Sequence, residues 1–342
     1  MPKRLVIFNH KGGVSKTTTV YNLGWMLSLT HRVLVVDADP QCNLSSLLLR
    51  DDFEKYYVEV TTKHHNIKDG VSAAFSGKPV PITAVNCPSP PRAPNLFLLA
   101  GHANLSEYDA ALTFAQNSNA IATLQNLPGA FHELIRLSED KYQIDYTLVD
   151  LNPGLSAINQ NLFLNCDVFA VPTNPDPFSI MAIDTLKSIL PRWAAWKLTA
   201  LESFADSAYP LRPGVPRFGG SFIQRFNIRN GRAAKPYRDN IAEIKTRIAN
   251  DLVPALNEPG MTFPIDTYSA ALRANLFCLA EIPDFGGLLP KAYSAGVPVF
   301  ELTDNEIAET GPILEGMRSK RSQLRTQFED VANELTFLLN NA

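Results

Sequence analysis

The sequence predicts an α/β fold, a doubly wound and mostly parallel sheet flanked by helices. Three observations carry that prediction. Short continuous apolar runs alternate with helical patterns from the first residues onward, as expected of strands buried on both faces. The first run, LVIF, leads through a glycine-rich loop straight into a helical pattern. Two later runs end in acids, Asp37 and Asp150, where a parallel sheet presents its carboxyl edge.

The first strand is expected over 5–8 and the helix after its loop over about 16–29. VLVV, at 33–36, is the second strand. Runs at 96–99, 146–149 and 168–171 supply three more, and Phe222-Ile223 and CLAEI, which ends at Ile282, two further ones. The stretch 51–94 ends in AVNCPSPPRAPN and reads as an extended surface loop; 205–220, rich in proline and glycine, reads as another. The segment 304–339 is helical in pattern, with Leu324, Phe328, Val331, Leu335 and Leu338 on one face. Neither loop has the composition of a linker, so one domain over 1–342 with surface elaborations is expected.

Composition narrows the class. A chain of 342 residues with 45% hydrophobic and 19% charged residues suits a globular protein with a sizeable core. A net charge of −3 argues against a surface that binds nucleic acid everywhere and leaves room for a local basic patch. The four cysteines form no C-x-x-C pair, which disfavours zinc ribbons and thioredoxin-like chemistry and suits a reducing, cytoplasmic setting. The opening apolar run is too short for a signal peptide, and no run approaches the roughly 20 residues that span a bilayer, so no stable membrane insertion is expected.

The chemistry is concentrated in HKGGVSKTTTV, residues 10–20. A phosphate loop has the form Gly, four residues, then Gly-Lys-Ser/Thr. Lys16-Thr17 fits its end, yet Ser15 stands at the second glycine position and His10 at the first. Between a strand and a helix, the backbone N–H groups of Gly12, Gly13, Val14, Ser15 and Thr18 are placed to surround anionic oxygens. Lys16 should reach the β- and γ-phosphates, and the Thr17 hydroxyl should bind Mg²⁺. Ser15 must accept a backbone shape usually given to glycine. A Gly-Gly pair with a lysine is also an ordinary strand-to-helix turn, so companions decide. VLVVDADPQ delivers Asp37 and Asp39 to the carboxyl edge, and YTLVD adds Asp150. Carboxylates there can hold a magnesium shell and orient an attacking water.

KGGVSKTTT, VLVVDADPQCN, YTLVDLNPGLS and VFAVPTNPDPFSI resemble, in that order, the ParA/Soj/MinD family of deviant-Walker ATPases. DADPQ is closest to the ParA/Soj branch. The resemblance implies hydrolysis of ATP with Mg²⁺, and it accounts for the additional lysine. Lys11 would cross a dimer interface to the partner's ATP, so that nucleotide binding drives homodimerisation. Lys11, Lys16 and Asp39 are then the catalytic residues, with Asp39 acting on the hydrolytic water. Lys11 to Thr18 hold the phosphates, and Thr17, Asp37 and Asp150 serve the metal. AEIPDFGGLLPKAYSAGVPVFEL resembles the stretch that contributes the adenine pocket, which points to Pro283 and Asp284. Asn22 matches a family asparagine behind the site. Asn152 departs from the family, standing where many members have proline. The chain opens on its first strand without the winged-helix segment of larger plasmid ParA proteins, so direct operator recognition is not expected.

Four uses of such an ATPase compete. A ParA-like positioning ATPase binds DNA non-specifically as an ATP dimer and is released by a ParB-like or other stimulating adaptor. The basic stretch 217–247 motivates it, through Arg225, Arg229, Arg232, Lys235 and Arg238 above all, and Arg318, Lys320, Arg321 and Arg325 form a second cluster. Both clusters are equally compatible with solvated faces. A MinD-like membrane regulator needs a basic amphipathic tail, whereas this tail carries Glu329, Asp330 and Glu334 on its polar face. An electron-transfer ATPase like the nitrogenase iron protein needs cysteines that hold a cluster, and Cys166 and Cys278 lack the flanking pattern. A module that only clamps ATP sits poorly with the retained Lys11, Lys16, Thr17, Asp39 and Asp150.

Overall fold

The computed structural model describes residues 1–117, 124–229 and 232–342, and of Arg229 and Arg232 it describes the backbone alone. Its strands are β1 (Lys3–Ile7), β2 (Val33–Ala38), β3 (Leu96–Leu99), β4 (Tyr146–Leu151), β5 (Val168–Thr173), β6 (Arg217–Gln224), β7 (Ile228–Arg229), β8 (Arg232–Ala233) and β9 (Cys278–Ile282). Among the described residues seven of them form one sheet in the order β3-β2-β4-β1-β5-β6-β9, with β7 and β8 a separate hairpin. All pairings in the large sheet are parallel. The apolar runs of β1, β2 and β4 are buried along their whole length or nearly so, because helices cover both faces.

Strand order reverses at β1. The chain leaves β1 toward β2 and β3, returns to β4, and then crosses to β5 on the other flank. Loops after β1 and β4 therefore meet over a crevice at the carboxyl edge, where doubly wound sheets bind ligands.

Two expectations are corrected. The stretch 51–94 is not simply a surface loop. It contains the short helices Phe53–Tyr56, Ile67–Gly70 and Ser72–Phe75, and Ile67, Val71, Val85 and Cys87 join the core. Its proline-rich end runs along the outer side of β3, where Leu98 N–H donates to the Pro88 carbonyl at 2.9 Å. Prolines cannot donate to a ladder, so they close this sheet edge instead of extending it. The second correction concerns 205–220, since β6 already begins at Arg217. The glycines that read as loop are what this strand needs. Gly220 has φ 130°, and a Cβ there would approach Leu279 Cγ to 2.8 Å.

The C-terminal segment forms the helices Asp304–Ile307 and Gly311–Asn340. Leu324, Phe328, Val331, Leu335 and Leu338 are all buried, so the long helix spends its apolar face on the core. Among the described residues no helix is long and apolar enough to cross a membrane. Leu190 and Trp193 pack inward, the indole 5.5 Å from the rings of both Phe8 and Phe163.

Candidate nucleotide-binding site

The loop between β1 and the helix Lys16–Ser28 has two left-handed residues, Gly13 at φ 73° and Ser15 at φ 65°. Glycine adopts that conformation freely. Ser15 does so at a cost of about 1–2 kcal/mol, so the serine keeps the shape that the missing glycine would have supplied. The His10 carbonyl accepts from Gly154 N–H at 3.0 Å, which ties this loop to the turn after β4. Lys16 is buried, with Nζ donating to the carbonyls of Asn9 (2.9 Å) and Lys11 (3.0 Å). Burial pushes its ammonium down to about 8, against the upward pull of Asp150 and Asp39.

Lys11 takes a different direction. Its ammonium donates to both oxygens of Asp176 at 2.6 Å and to Ser179 Oγ at 3.0 Å, and it lies 5.8 Å from the centre of the Phe178 ring. Asp176 also caps the helix Pro177–Ser203 by accepting from Ser179 N–H. Phe178 and Met181 on that helix are 69% and 65% exposed.

The three acids differ in surroundings. Asp37 is fully buried and accepts from Ser45 N–H (2.8 Å), Ser45 Oγ (2.7 Å) and Asp39 N–H (3.2 Å). Burial nevertheless pushes it up to about 6. Asp39 accepts from Gln41 N–H at 2.9 Å and lines the cleft above the loop. Asp150 is opposite Asp37 in the β2–β4 register and opposite Ile7 on β1, directly beneath the loop. Among the described residues no donor reaches bonding geometry with either of its oxygens. Burial, with Asp37 close by, raises its proton affinity well above the usual range, with the Thr17 hydroxyl and Lys16 pulling the other way.

Those orphaned oxygens are the test of whether a divalent cation fits. A buried carboxylate without a donor is costly, and a cation or its water shell would satisfy it. Among the described residues no three His, Cys, Asp or Glu side chains are grouped to hold a metal alone. The arrangement suits Mg²⁺, which takes one or two protein groups and completes its shell with phosphates and water. Thr17 and Asp150 fit that part, whereas Asp37 has its Oδ2 committed to Ser45.

A cleft of about 480 Å³ opens above the loop. Residues 12–18 and Asp39 line one side, and Ile282, Pro283, Asp284 and Phe285 the other, with Leu289 and Tyr293 behind. Pro283 and Asp284 thus line the cleft opposite the phosphate loop. Phe285, Leu289 and Tyr293 lie in the stretch that the resemblance pointed to, but were not singled out, because apolar residues there look like core. Asp176 and Ser45 were missed as well. An Asp-Pro pair opening a helix was the available signal for Asp176.

The basic clusters separate. Arg318 and Arg321 both pair with Asp304 (2.6 and 3.0 Å), Arg325 pairs with Glu301 and Glu329 (2.9 Å each), and Lys320 donates to the Asp284 carbonyl. The three arginines of the second cluster are thus paired with acids of their own neighbourhood, and Lys320 is left with a backbone carbonyl. Lys245 pairs with Glu281, and Arg247 sits among Asp184, Glu243 and Asp251. Lys235 and Arg238 are exposed and form no ion pair among the described residues. Arg229 and Arg232 face each other in the β7–β8 pairing, while their side chains lie outside the described ones. Arg225 lines the nucleotide cleft, with Nη1 donating to the Gly13 carbonyl at 3.3 Å.

A parallel sheet with a lysine-bearing phosphate loop at its reversal point and acids at the neighbouring strand ends defines a phosphate-loop nucleotide hydrolase. The family model described as "AAA domain" matches residues 2–195. The chain belongs to that family and, within it, to the ParA/Soj type of phosphate-loop ATPase. It is 26% identical over 275 residues to the chromosome-partitioning ATPase Soj of Treponema pallidum, covering 79% of this chain and 91% of that one. It is 29% identical over 189 residues to the chromosome partitioning protein ParA of Caulobacter vibrioides, covering 55% and 62%. Among solved structures, apo McdA of Cyanothece superposes with TM-score 0.57 at 19% identity, over 98% of this chain and 100% of that one. pNOB8 ParA bound to nonspecific DNA superposes with TM-score 0.56 at 18% identity, over the whole of both. These two likenesses concern the fold.

Proposed function

We propose that the chain is one ATPase domain working as a ParA-like positioning switch. ATP binding joins two copies face to face, the dimer holds DNA without sequence preference, and an adaptor that stimulates hydrolysis releases it. The observation that carries this reading is the contrast between the two loop lysines. Lys16 is folded into its own loop, whereas Lys11 is held at the surface by the half-buried Asp176, among exposed Phe178 and Met181. A cation on an exposed apolar rim beside a phosphate loop suits a second copy of the same face.

In this reading Lys11 leaves Asp176 for the partner's triphosphate. Lys16 and the N–H groups of residues 12–18 bind the phosphates in cis, and Asp39 positions the hydrolytic water. Mg²⁺, when bound, neutralises charge developing on the phosphates; Thr17 and Asp150 would hold it, with Asp37 in support. Pro283 and Asp284 border the base. Arg229, Arg232, Lys235 and Arg238 supply phosphate contacts to DNA from the hairpin and the start of the following helix. The relative ParA and Soj proteins are named for chromosome partitioning, which supports DNA as cargo.

Sedimentation velocity and DNA gel shifts test the proposal together. With Mg²⁺ and a slowly hydrolysed ATP analogue, the wild type should become dimeric and retain long duplex DNA in a salt-sensitive way. Lys11→Ala should stay monomeric while its fold is intact. A dimer population in Lys11→Ala equal to that of the wild type would remove the role given to Lys11, and no DNA retention by the ATP-loaded dimer would remove the cargo.

A further inference from the structure

Arg225 is placed unlike the other basic residues of its stretch. It follows β6 directly, in the left-handed conformation with φ 60°, and its N–H donates to the Ile282 carbonyl at 3.1 Å. An arginine there is strained where glycine or asparagine would sit easily, which marks its side chain as the reason for the position. The guanidinium crosses to the phosphate loop and reaches the Gly13 carbonyl at 3.3 Å. That carbonyl already accepts from Asn174 Nδ2 at 3.0 Å, so the contact is long and redundant. The fork has further N–H donors, and Arg225 has no carboxylate partner among the described residues.

Lys16 and Arg225 are the cations among the residues lining the cleft, where Asp39 and Asp284 are the acids. Lys16 serves the phosphate end from within the loop. Pro283, Phe285, Leu289 and Tyr293 form the base end. Arg225 links the two ends, its N–H on the Ile282 carbonyl just before Pro283 and its guanidinium on the Gly13 carbonyl of the phosphate loop.

We propose that Arg225 is a nucleotide ligand in cis, its guanidinium contacting the first phosphate of bound ATP or ADP, and not a DNA contact. This rests on the ATP-site reading above. Because both nucleotides carry that phosphate, the contact strengthens ground state and transition state alike.

Arg225→Asn keeps a residue type that tolerates positive φ and removes the fork, and Arg225→Lys keeps the charge without the fork. Affinity for fluorescent ADP and for a slowly hydrolysed ATP analogue is measured by anisotropy, with turnover, DNA retention at saturating nucleotide, and the unfolding midpoint without nucleotide. Arg225→Asn should lose about tenfold in affinity for both nucleotides. KM should rise about as much with kcat within about twofold, and Arg225→Lys should fall between. DNA retention at saturating nucleotide should be unchanged. Unchanged nucleotide affinity in a folded Arg225→Asn, with DNA retention weakened and its salt slope reduced by about one, would assign Arg225 to the DNA surface and overturn the proposal. Loss confined to ATP would overturn it too, since that would mark a contact to the third phosphate. A wild type that binds neither nucleotide would sink the ATP site itself, whereas equal binding by wild type and variant sinks the role of Arg225 alone.

Discussion

The sheet carries a buried cluster of charge at each end, and the two clusters are finished to different degrees. At the amino edge Arg4 donates to both oxygens of Glu139 (2.7 and 2.8 Å), and Thr147 Oγ donates to the same carboxylate. Arg4 also donates to His132 Nδ1, whose imidazole is pushed down to about 2 by burial and by Arg4, and is therefore neutral. Beside them Asp167 receives two donors from Arg212 and the Arg4 N–H. At the carboxyl edge Asp150 has no donor in bonding geometry among the described residues, the Thr17 hydroxyl acting on it from nearby, and Lys16 is buried against carbonyls with no direct ion pair among them. The charges at both ends are buried, so both would be costly if left unpaired. One end meets each of its carboxylates with donors from its own chain, although Arg212 Nη1 has no partner among the described residues. The other keeps unused hydrogen-bonding capacity, which the proposed function assigns to the phosphates and the metal of the substrate.

The largest effect expected from this contrast is structural. Glu139→Ala leaves the Arg4 guanidinium buried without its carboxylate and should cost about 3–5 kcal/mol in denaturant unfolding. Nucleotide affinity of the fraction that remains folded should be unchanged. Asp150→Asn should do the reverse, with stability at pH 7 unchanged or higher and Mg²⁺-dependent turnover about 10- to 100-fold lower. A destabilised Asp150→Asn would mean that the carboxylate is already satisfied.

Lys197 sharpens the comparison at the amino edge. It is fully buried with the Asn165 amide oxygen as its acceptor, and burial pushes its ammonium down to about 7. A lysine that binds its proton less tightly when folded destabilises the chain most below pH 7, where both states are charged. That penalty shrinks as pH rises from about 7 toward 10.5. Wild-type stability should then rise, relative to Lys197→Met, by about 1 kcal/mol per pH unit in urea titrations between pH 7 and 9. Parallel curves would remove the assignment. The smallest effect belongs to Asp176→Asn, which keeps a helix-capping oxygen and weakens the hold on Lys11. The partly exposed pair is worth at most about 1 kcal/mol, so half-maximal dimerisation should move to ATP concentrations lower by up to about fivefold. An unchanged or raised requirement would show that Asp176 does not restrain Lys11.

The carboxyl edge was legible in the sequence because its residues are local to strand ends and the loop chemistry is written in consecutive positions. Lys16, Thr17, Asp39 and Asp150 could be placed without coordinates, and so could β1, β2, β4 and β5, whose apolar runs are continuous. The amino edge was not legible. Arg4, Glu139, Asp167 and Arg212 are scattered along the chain, and each alone reads as an ordinary surface charge. The start of β6 was hidden for a related reason. Its Gly219-Gly220 pair reads as loop, although it serves the close approach of Val168 and Leu279. Basic density in 217–247 likewise said nothing of pairing, and only the fold separates Lys235 and Arg238 from the neutralised Lys245 and Arg247.

The open valences of Asp150 can be examined with one titration. Unfolding of wild type and Asp150→Asn is followed in urea at fixed ATP while Mg²⁺ is raised. Wild-type stability should climb with the Mg²⁺–ATP complex, by about 2.7 kcal/mol when that complex reaches a hundred times its dissociation constant, and the variant should stay nearly flat. Equal gains in the two proteins, or none in either, would contradict the assignment of this edge as the place where metal and nucleotide complete the fold.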